Sequence, residues 1–86
     1  MYKVILSPEA RAFYSQANKP LASKLARCFG QLETEPRRHN NIKRLSGKFA
    51  GLSRFRIGDW RVLFRIDDQA QEVHVLLVAH RSEIYE

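Results

Sequence analysis

Two runs of alternating cationic and apolar residues make up the stretch Arg54-Phe55-Arg56-Ile57-Gly58-Asp59-Trp60-Arg61-Val62-Leu63-Phe64-Arg65. Alternation with a period of two is typical of a β-strand with one buried face, and Gly-Asp between two such runs is typical of a hairpin turn. The stretch therefore predicts a β-hairpin that is apolar on one side and positively charged on the other. Arg54 and Arg56 share the charged face of the first strand, and Arg61 and Arg65 share that of the second.

The rest of the chain supplies partners for the apolar side of this hairpin. Pro8 follows a capping serine and predicts a helix start, and an apolar stripe predicts a second helix from about 20 to 35 that Pro36 ends. Strands are predicted at 2–6, 52–57, 60–66 and 72–79. We therefore expect a single α+β domain over residues 1–86. Its mainly antiparallel four-stranded sheet carries an N-terminal helical hairpin on one face, in the order β-α-α-β-β-β.

Positive charge is concentrated in the middle of the sequence. Residues 37–66 carry nine Lys and Arg against one acid, whereas residues 67–86 carry one against five. Such a block repels itself unless an anionic partner shares the surface, and nucleic acid is the most common such partner. A solvated basic face kept for solubility is the plainer alternative. The connection 37–51 belongs to this block, and we expect Lys43, Arg44 and Lys48 to bind nucleic acid together with Arg56 of the hairpin.

Several classes of site and location are disfavoured by the sequence. Cys28 is the only cysteine and lies on the apolar stripe of the second helix, so we expect a buried thiol and neither a disulfide nor a cysteine-based zinc site. His39, His74 and His80 lie far apart, so a metal site and a metal cofactor are not expected. The chain begins without a signal-peptide core and holds no run of membrane-spanning length, which favours a cytoplasmic protein that contacts no membrane.

Arginines and a C-terminal cluster are the strongest candidates for chemistry. Guanidinium groups on adjacent strands can grip a phosphate bidentately and stabilise charge that develops on phosphorus. His80-Arg81 and Tyr85 follow the last strand and could add proton transfer, phosphate binding and stacking on a base. The structural alternatives are cross-strand ion pairs, which we favour for Arg65 beside the acidic turn, a strand-end role for His80, and an apolar lid role for Tyr85.

These residues give the chain a resemblance to a known family. The segments Leu45-Ser46-Gly47, Leu52 to Phe64 with its R-x-R-x-G-D-x-R pattern, and Val75 to Tyr85 with its H-R-x-x-x-Y pattern resemble the RelE/ParE superfamily of bacterial toxins. The likeness covers nearly the whole chain, and its motifs are more specific to the superfamily than to one activity within it. The resemblance implies two helices on one face of an antiparallel sheet and a basic face on the other.

The RelE-like branch of this superfamily implies a specific activity. Its members are ribosome-dependent mRNA endonucleases that enter the ribosomal A site and cut mRNA without a metal, using the 2′-hydroxyl of the RNA as nucleophile. Carried over residue by residue, Arg61 matches the arginine at the scissile phosphate, Arg81 the arginine that supports the phosphate or leaving group, and Tyr85 the C-terminal tyrosine. Arg54 stands where the branch has a lysine, and Leu52 stands where a second lysine can occur. These departures leave proton transfer to His80 or Tyr85, with Lys48 as a further candidate from the loop.

The resemblance also implies partners, and it leaves other activities open. A RelB-like antitoxin encoded beside the toxin is expected to neutralise it, by covering the basic face or by displacing the C-terminal turn, and contact with DNA is expected only for the antitoxin complex. One alternative is a ParE-like toxin that poisons DNA gyrase without nuclease chemistry. Another is a nucleic-acid-binding module without catalysis.

Overall fold

The helices and strands of a computed structural model, which describes residues 1–84, follow the predicted order with one addition. The elements are β1 (Lys3–Leu6), α1 (Pro8–Gln16), α2 (Lys19–Thr34), β2 (Ile42–Arg44), β3 (Ser53–Ile57), β4 (Trp60–Asp67) and β5 (Glu72–His80), with 3-10 turns at Gly47–Phe49 and Arg81–Glu83. No helix within residues 1–84 is long and apolar enough to cross a membrane.

The five strands form one sheet in the order β1-β5-β4-β3-β2. Within residues 1–84 only β1 pairs in parallel, with β5, and the other neighbours are antiparallel, so the α+β class and the mainly antiparallel sheet are confirmed. The sheet has one strand more than the predicted four. Strand β2 lies within the connection 37–51, for which the sequence predicts only a loop, and it extends the hairpin of β3 and β4 at the edge of the sheet.

Local sequence signals explain where the helices begin. Ser7 caps α1 by accepting a hydrogen bond from the backbone N–H of Ala10 at 3.0 Å, and its hydroxyl donates to the carbonyl of Leu76 at 2.7 Å. Asn18 caps α2 by accepting from the N–H of Leu21 at 3.0 Å. Each cap precedes a proline in the first turn, where the missing N–H costs no hydrogen bond. The Ser7 hydroxyl therefore also ties α1 to the strand it packs against.

The main core lies between the two helices and one face of the sheet. Its largest fully buried side chains come from α2 and from the two strands β4 and β5; they are Leu25, Cys28 and Leu32 with Val62, Phe64, Val73 and Val75. Phe55 joins them from β3, which confirms the predicted apolar side of the hairpin. Burial raises the pKa of the Cys28 thiol to about 12, so this thiol is a core residue, as the stripe predicted.

A smaller apolar cluster lies on the opposite face of the sheet. Leu63, Ala79 and Ile84 are buried there, and Leu45 and Phe49 pack against them from the connection before β3. These contacts pin the connection and the C-terminal turn to the cationic side of the sheet. Ile42 packs instead against the main core, so the connection is held on both faces.

A β-bulge in β5 changes which residues face the helices. Leu63 pairs with Leu77, but the next residue, Phe64, pairs with Val75, so one extra residue of β5 lies between them. A single extra residue reverses the alternation of side chains along the rest of the strand. Val73 and Val75 face the main core before the bulge, whereas Val78 faces it afterwards.

Candidate nucleic-acid interface

Two pairs of like-charged residues lie directly opposite each other on the face of the sheet away from the helices. Lys43 of β2 pairs with Arg54 of β3, and Arg56 of β3 pairs with Arg61 of β4. Like charges directly opposite each other on adjacent strands are destabilising. These four cationic side chains lie on one face of the sheet, where positive charge attracts an anionic ligand. We refer to Lys43, Arg54, Arg56 and Arg61 as the cationic patch.

The two central arginines of the patch are held by backbone carbonyls. Arg54 donates from Nη1 to the carbonyl of Asn41 at 2.8 Å. Arg61 donates from Nη1 to the carbonyls of Gly58 at 2.8 Å and Trp60 at 3.0 Å. These carbonyl contacts orient both guanidinium groups on the surface of the sheet.

Arg81 lies against the same turn as Arg61. Its backbone N–H donates to the carbonyl of Asp59 at 2.7 Å, and its Nε lies 3.6 Å from Oδ1 of the Asp59 side chain. Both side chains are about two-thirds exposed, at 64% and 65%. The hydrogen bond between backbones fixes the start of the C-terminal turn, whereas the exposed ion pair contributes little. The turn at residues 58–59 therefore brings Arg61 and Arg81 to one end of the sheet.

His80 lies on the other side of the sheet from the cationic patch. Trp60, its direct partner in β4, packs against the main core, and the two rings meet edge to face with their centroids 5.4 Å apart. Arg61 pairs instead with Ala79, which belongs to the cluster on the cationic side. The β5 bulge is the cause, because unbroken alternation from His74, which pairs with Arg65, would put His80 on the cationic side.

The remaining predicted residues are divided between the two faces. Lys48 lies 5.4 Å above the ring of Phe49, which packs on the cationic side. Arg44 alternates with Lys43 and lines a cavity of about 440 Å³ with Arg37 and Ile66, away from the patch. Tyr85 lies outside the described residues.

Arg65 does not form the predicted ion pair. The two closest carboxyl-bearing positions along the hairpin, Asp67 and Glu72, pair with each other across the strands, and Arg65 lies opposite His74. Among residues 1–84, Arg65 has no ion pair at all. Glu72 binds His74 instead, at 3.0 Å, and so is already engaged.

Asp67, Glu72 and His74 are the described residues that could hold a metal ion. One ligand atom from each lies within 4.8 Å of the others, at the end of the β4–β5 hairpin far from Gly58. His74 and Glu72 already satisfy each other, and one carboxylate oxygen of Asp67 accepts the N–H of Ala70 at 3.1 Å. The ion pair between His74 and Glu72 and the turn contact of Asp67 therefore explain why these three side chains lie together.

A hydrogen-bond network connects Tyr2 and Arg37 to the turn between β4 and β5, at the end of the sheet far from Gly58. Arg37 binds Asp68 bidentately, with distances of 3.0 and 2.7 Å, and the Tyr2 hydroxyl donates to the same carboxylate at 2.6 Å. These hydrogen bonds hold the pKa of Asp68 below its usual range and raise that of Arg37. Arg37 is thus committed to a structural contact, whereas the cationic patch lies elsewhere.

The C-terminal turn contains polar contacts that the sequence interpretation missed. The Nδ1 atom of His80 accepts the backbone N–H of Ser82 at 3.2 Å, and Oε1 of Glu83 accepts the backbone N–H of His80 at 3.1 Å. This reciprocal arrangement is a capping box, and the spacing of Glu83 three residues after His80 is the signal that could have predicted it. The role of Asp59 as the acceptor for Arg81 carried no comparable signal, since it depends on a contact between distant residues.

Comparisons with known proteins agree with this architecture. The family model described as ParE toxin of type II toxin-antitoxin system, parDE, matches residues 4–85. Toxin RelG of Mycobacterium tuberculosis is 42% identical over 65 residues, which are 76% of this chain and 72% of that toxin.

Solved structures give the same result for the fold. The toxin-antitoxin complex RelBE2 from Mycobacterium tuberculosis matches with a TM-score of 0.76 and 34% identity, over 93% of this chain and 98% of the matched chain. The archaeal RelE-RelB complex from Pyrococcus horikoshii OT3 matches with a TM-score of 0.79 and 22% identity, over 96% and 98% of the two chains. With the fold, the basic face and the family model in agreement, the chain belongs to the RelE/ParE superfamily and is a toxin of a type II toxin-antitoxin system.

Proposed function

We propose that this toxin is a ribosome-dependent mRNA endonuclease that needs no metal. The observation that carries the proposal is the cationic patch, in which Lys43 faces Arg54 and Arg56 faces Arg61 across adjacent strands. A ribose-phosphate backbone would bind across these four cations, on a surface with Arg81 at its end.

The proposed reaction is an internal transesterification. The 2′-oxygen of the RNA attacks the adjacent phosphorus and loses its proton, the bond from phosphorus to the 5′-oxygen breaks, and that oxygen gains a proton. The products are a 2′,3′-cyclic phosphate and a 5′-hydroxyl. Arg54, Arg61 and Arg81 stabilise the negative charge on the phosphorane, which is the task that a metal performs in other nucleases. His80 and Tyr85 were the sequence candidates for proton transfer, and the position of His80 beside Trp60 favours Tyr85.

The proposed partners follow from the family. An antitoxin of the RelB type, encoded beside the toxin, would neutralise it in the cytoplasm, and the ribosomal A site with its mRNA would be the target. Lys43, Lys48 and Arg56 would contact RNA outside the scissile phosphate. Arg44, which lies on the other side of β2 from Lys43, would contact RNA only if the strand wraps around the edge of the sheet.

Single-turnover cleavage of mRNA on programmed ribosomes tests the proposal. Arg61→Ala should lower the rate by about 10² to 10³-fold, since it removes charge stabilisation from the transition state. Arg65→Ala is the matched control, because Arg65 lies on the same strand and face but far from the Gly58 turn, and it should keep a rate near that of the wild type. Equal rates for all three proteins, or RNA ends without a 5′-hydroxyl, would contradict the proposal.

A gyrase poison is the second candidate, because the matching family model is that of a ParE toxin. Brief induction in cells distinguishes the two activities. The nuclease predicts new 5′ ends within translated mRNA while DNA stays intact, whereas a gyrase poison predicts gyrase cleavage complexes and DNA damage with intact mRNA.

A further inference from the structure

The contacts of His80 give this residue a role that differs from proton transfer. We propose that His80 is a positioning residue that caps the C-terminal turn Arg81–Glu83 and thereby orients Arg81. The inference rests on the proposed function for its catalytic consequence, whereas the capping itself can be measured independently.

The first argument is the state of the imidazole nitrogens. Nδ1 accepts the N–H of Ser82 at 3.2 Å, and the Ser82 hydroxyl lies 2.9 Å from the same atom. A neutral imidazole with an accepting Nδ1 carries its hydrogen on Nε2. Neither nitrogen then has a free lone pair, so a His80 that took the 2′-hydroxyl proton at Nδ1 would break its own cap.

The second argument is the location of the ring. Its edge-to-face contact with Trp60 continues to Phe13, whose ring centroid lies 5.1 Å from that of Trp60. This stack connects the end of β5 to helix α1, on the side of the sheet away from the cationic patch. A group held there faces away from a phosphate that lies over Arg61.

The third argument is that the capped turn is anchored at both ends and holds Arg81 at its start. The turn begins with the 2.7 Å hydrogen bond from Arg81 to the Asp59 carbonyl, and it ends with Ile84 buried against Leu63. His80 and Glu83 close the capping box between these two anchors. The direction of this turn therefore sets the position from which the Arg81 side chain extends.

Three substitutions separate capping from proton transfer. In His80→Asn the side-chain oxygen stands where Nδ1 stands and is a preferred N-cap acceptor, whereas in His80→Gln the amide falls at the position of Nε2 and cannot cap in the same way. His80→Ala has neither group. None of the three can transfer a proton at neutral pH, so a general base would be lost in all of them.

The measurements are cleavage on programmed ribosomes, growth arrest on induction, and hydrogen exchange of the Ser82 amide, with thermal unfolding as a check on the fold. His80→Asn should keep the cleavage rate, the arrest and the amide protection within about threefold of the wild type, as expected for an equivalent cap. His80→Gln and His80→Ala should lower the amide protection and the rate together by about 2- to 30-fold, the population change that losing an N-cap produces.

Two results would overturn the inference. One is an Asn variant that protects the Ser82 amide yet cleaves as poorly as the Gln variant, since this means that proton transfer and not capping was lost. The other is unchanged amide exchange in all three variants. If the wild type cuts no RNA, the proposed nuclease fails, but amide exchange and growth arrest still decide whether the cap exists and serves the toxin.

Discussion

Burial of a single thiol gives this protein a measurable dependence of stability on pH. Cys28 is 1% exposed, and burial raises its pKa to about 12, above the value of an unfolded chain. A group whose folded pKa is raised contributes its full stability below the unfolded pKa, and it loses that contribution as pH rises toward the folded pKa. The free energy of unfolding should therefore fall between about pH 9 and pH 12, by at most about 1.4 kcal/mol per pH unit from this residue.

Cys28→Ala isolates this contribution. The variant should be less stable at pH 8 because it leaves a cavity, yet its stability should fall less steeply at alkaline pH than that of the wild type. Urea unfolding across this range measures both slopes. Identical slopes would mean that the folded thiol ionises as easily as the unfolded one.

Gly58 and Gly30 lie in different elements, a turn and a helix, and alanine should therefore have opposite effects on stability at the two positions. Gly58, in the turn between β3 and β4, has φ of +57°, whereas Gly30 lies within helix α2, and an added Cβ meets nothing within 4 Å at either position. Gly58→Ala should therefore destabilise the protein by about 1 to 2 kcal/mol through backbone strain alone. Gly30→Ala should stabilise it by up to about 1 kcal/mol through helix propensity.

Thermal or urea unfolding of the two variants tests this prediction without interference from lost contacts. Arg61 donates to the Gly58 carbonyl and Arg81 is held by Asp59, so Gly58→Ala should also lower toxicity, while Gly30→Ala should not. A stable and fully toxic Gly58→Ala protein would show that the turn tolerates other geometries.

The helices and strands also differ in how well the sequence predicts them. Strong periodicity over many residues fixed the helices and the hairpin of β3 and β4, because the burial of one face dominates there. Strand β2 was missed because three residues at a sheet edge carry almost no periodic signal. The position of His80 was missed for a different reason: a one-residue bulge near Leu76 reverses every later side chain, and two mainly apolar faces in β5 give no sign of it.

Charge acts at the scale of the whole molecule, because a formal net charge of +6 attracts any polyanion. Binding that depends only on net charge would weaken equally when any exposed cation is removed. Binding through the cationic patch would instead depend on particular residues. Each phosphate contact with single-stranded RNA contributes about 0.7 to the slope of log K against log salt concentration.

The salt dependence of binding to a non-cleavable RNA, such as one with 2′-deoxy nucleotides at the cleavage site, distinguishes these two cases. Lys43→Ala and Arg56→Ala should each reduce the slope by about 0.7, because both residues lie in the patch. Lys19→Ala removes the same charge from the exposed start of helix α2, on the other side of the sheet, and should leave the slope nearly unchanged. Equal reductions of the slope in all three variants would mean that RNA binding depends on the total charge of the protein. The cationic patch would then not be the site where the phosphate backbone lies.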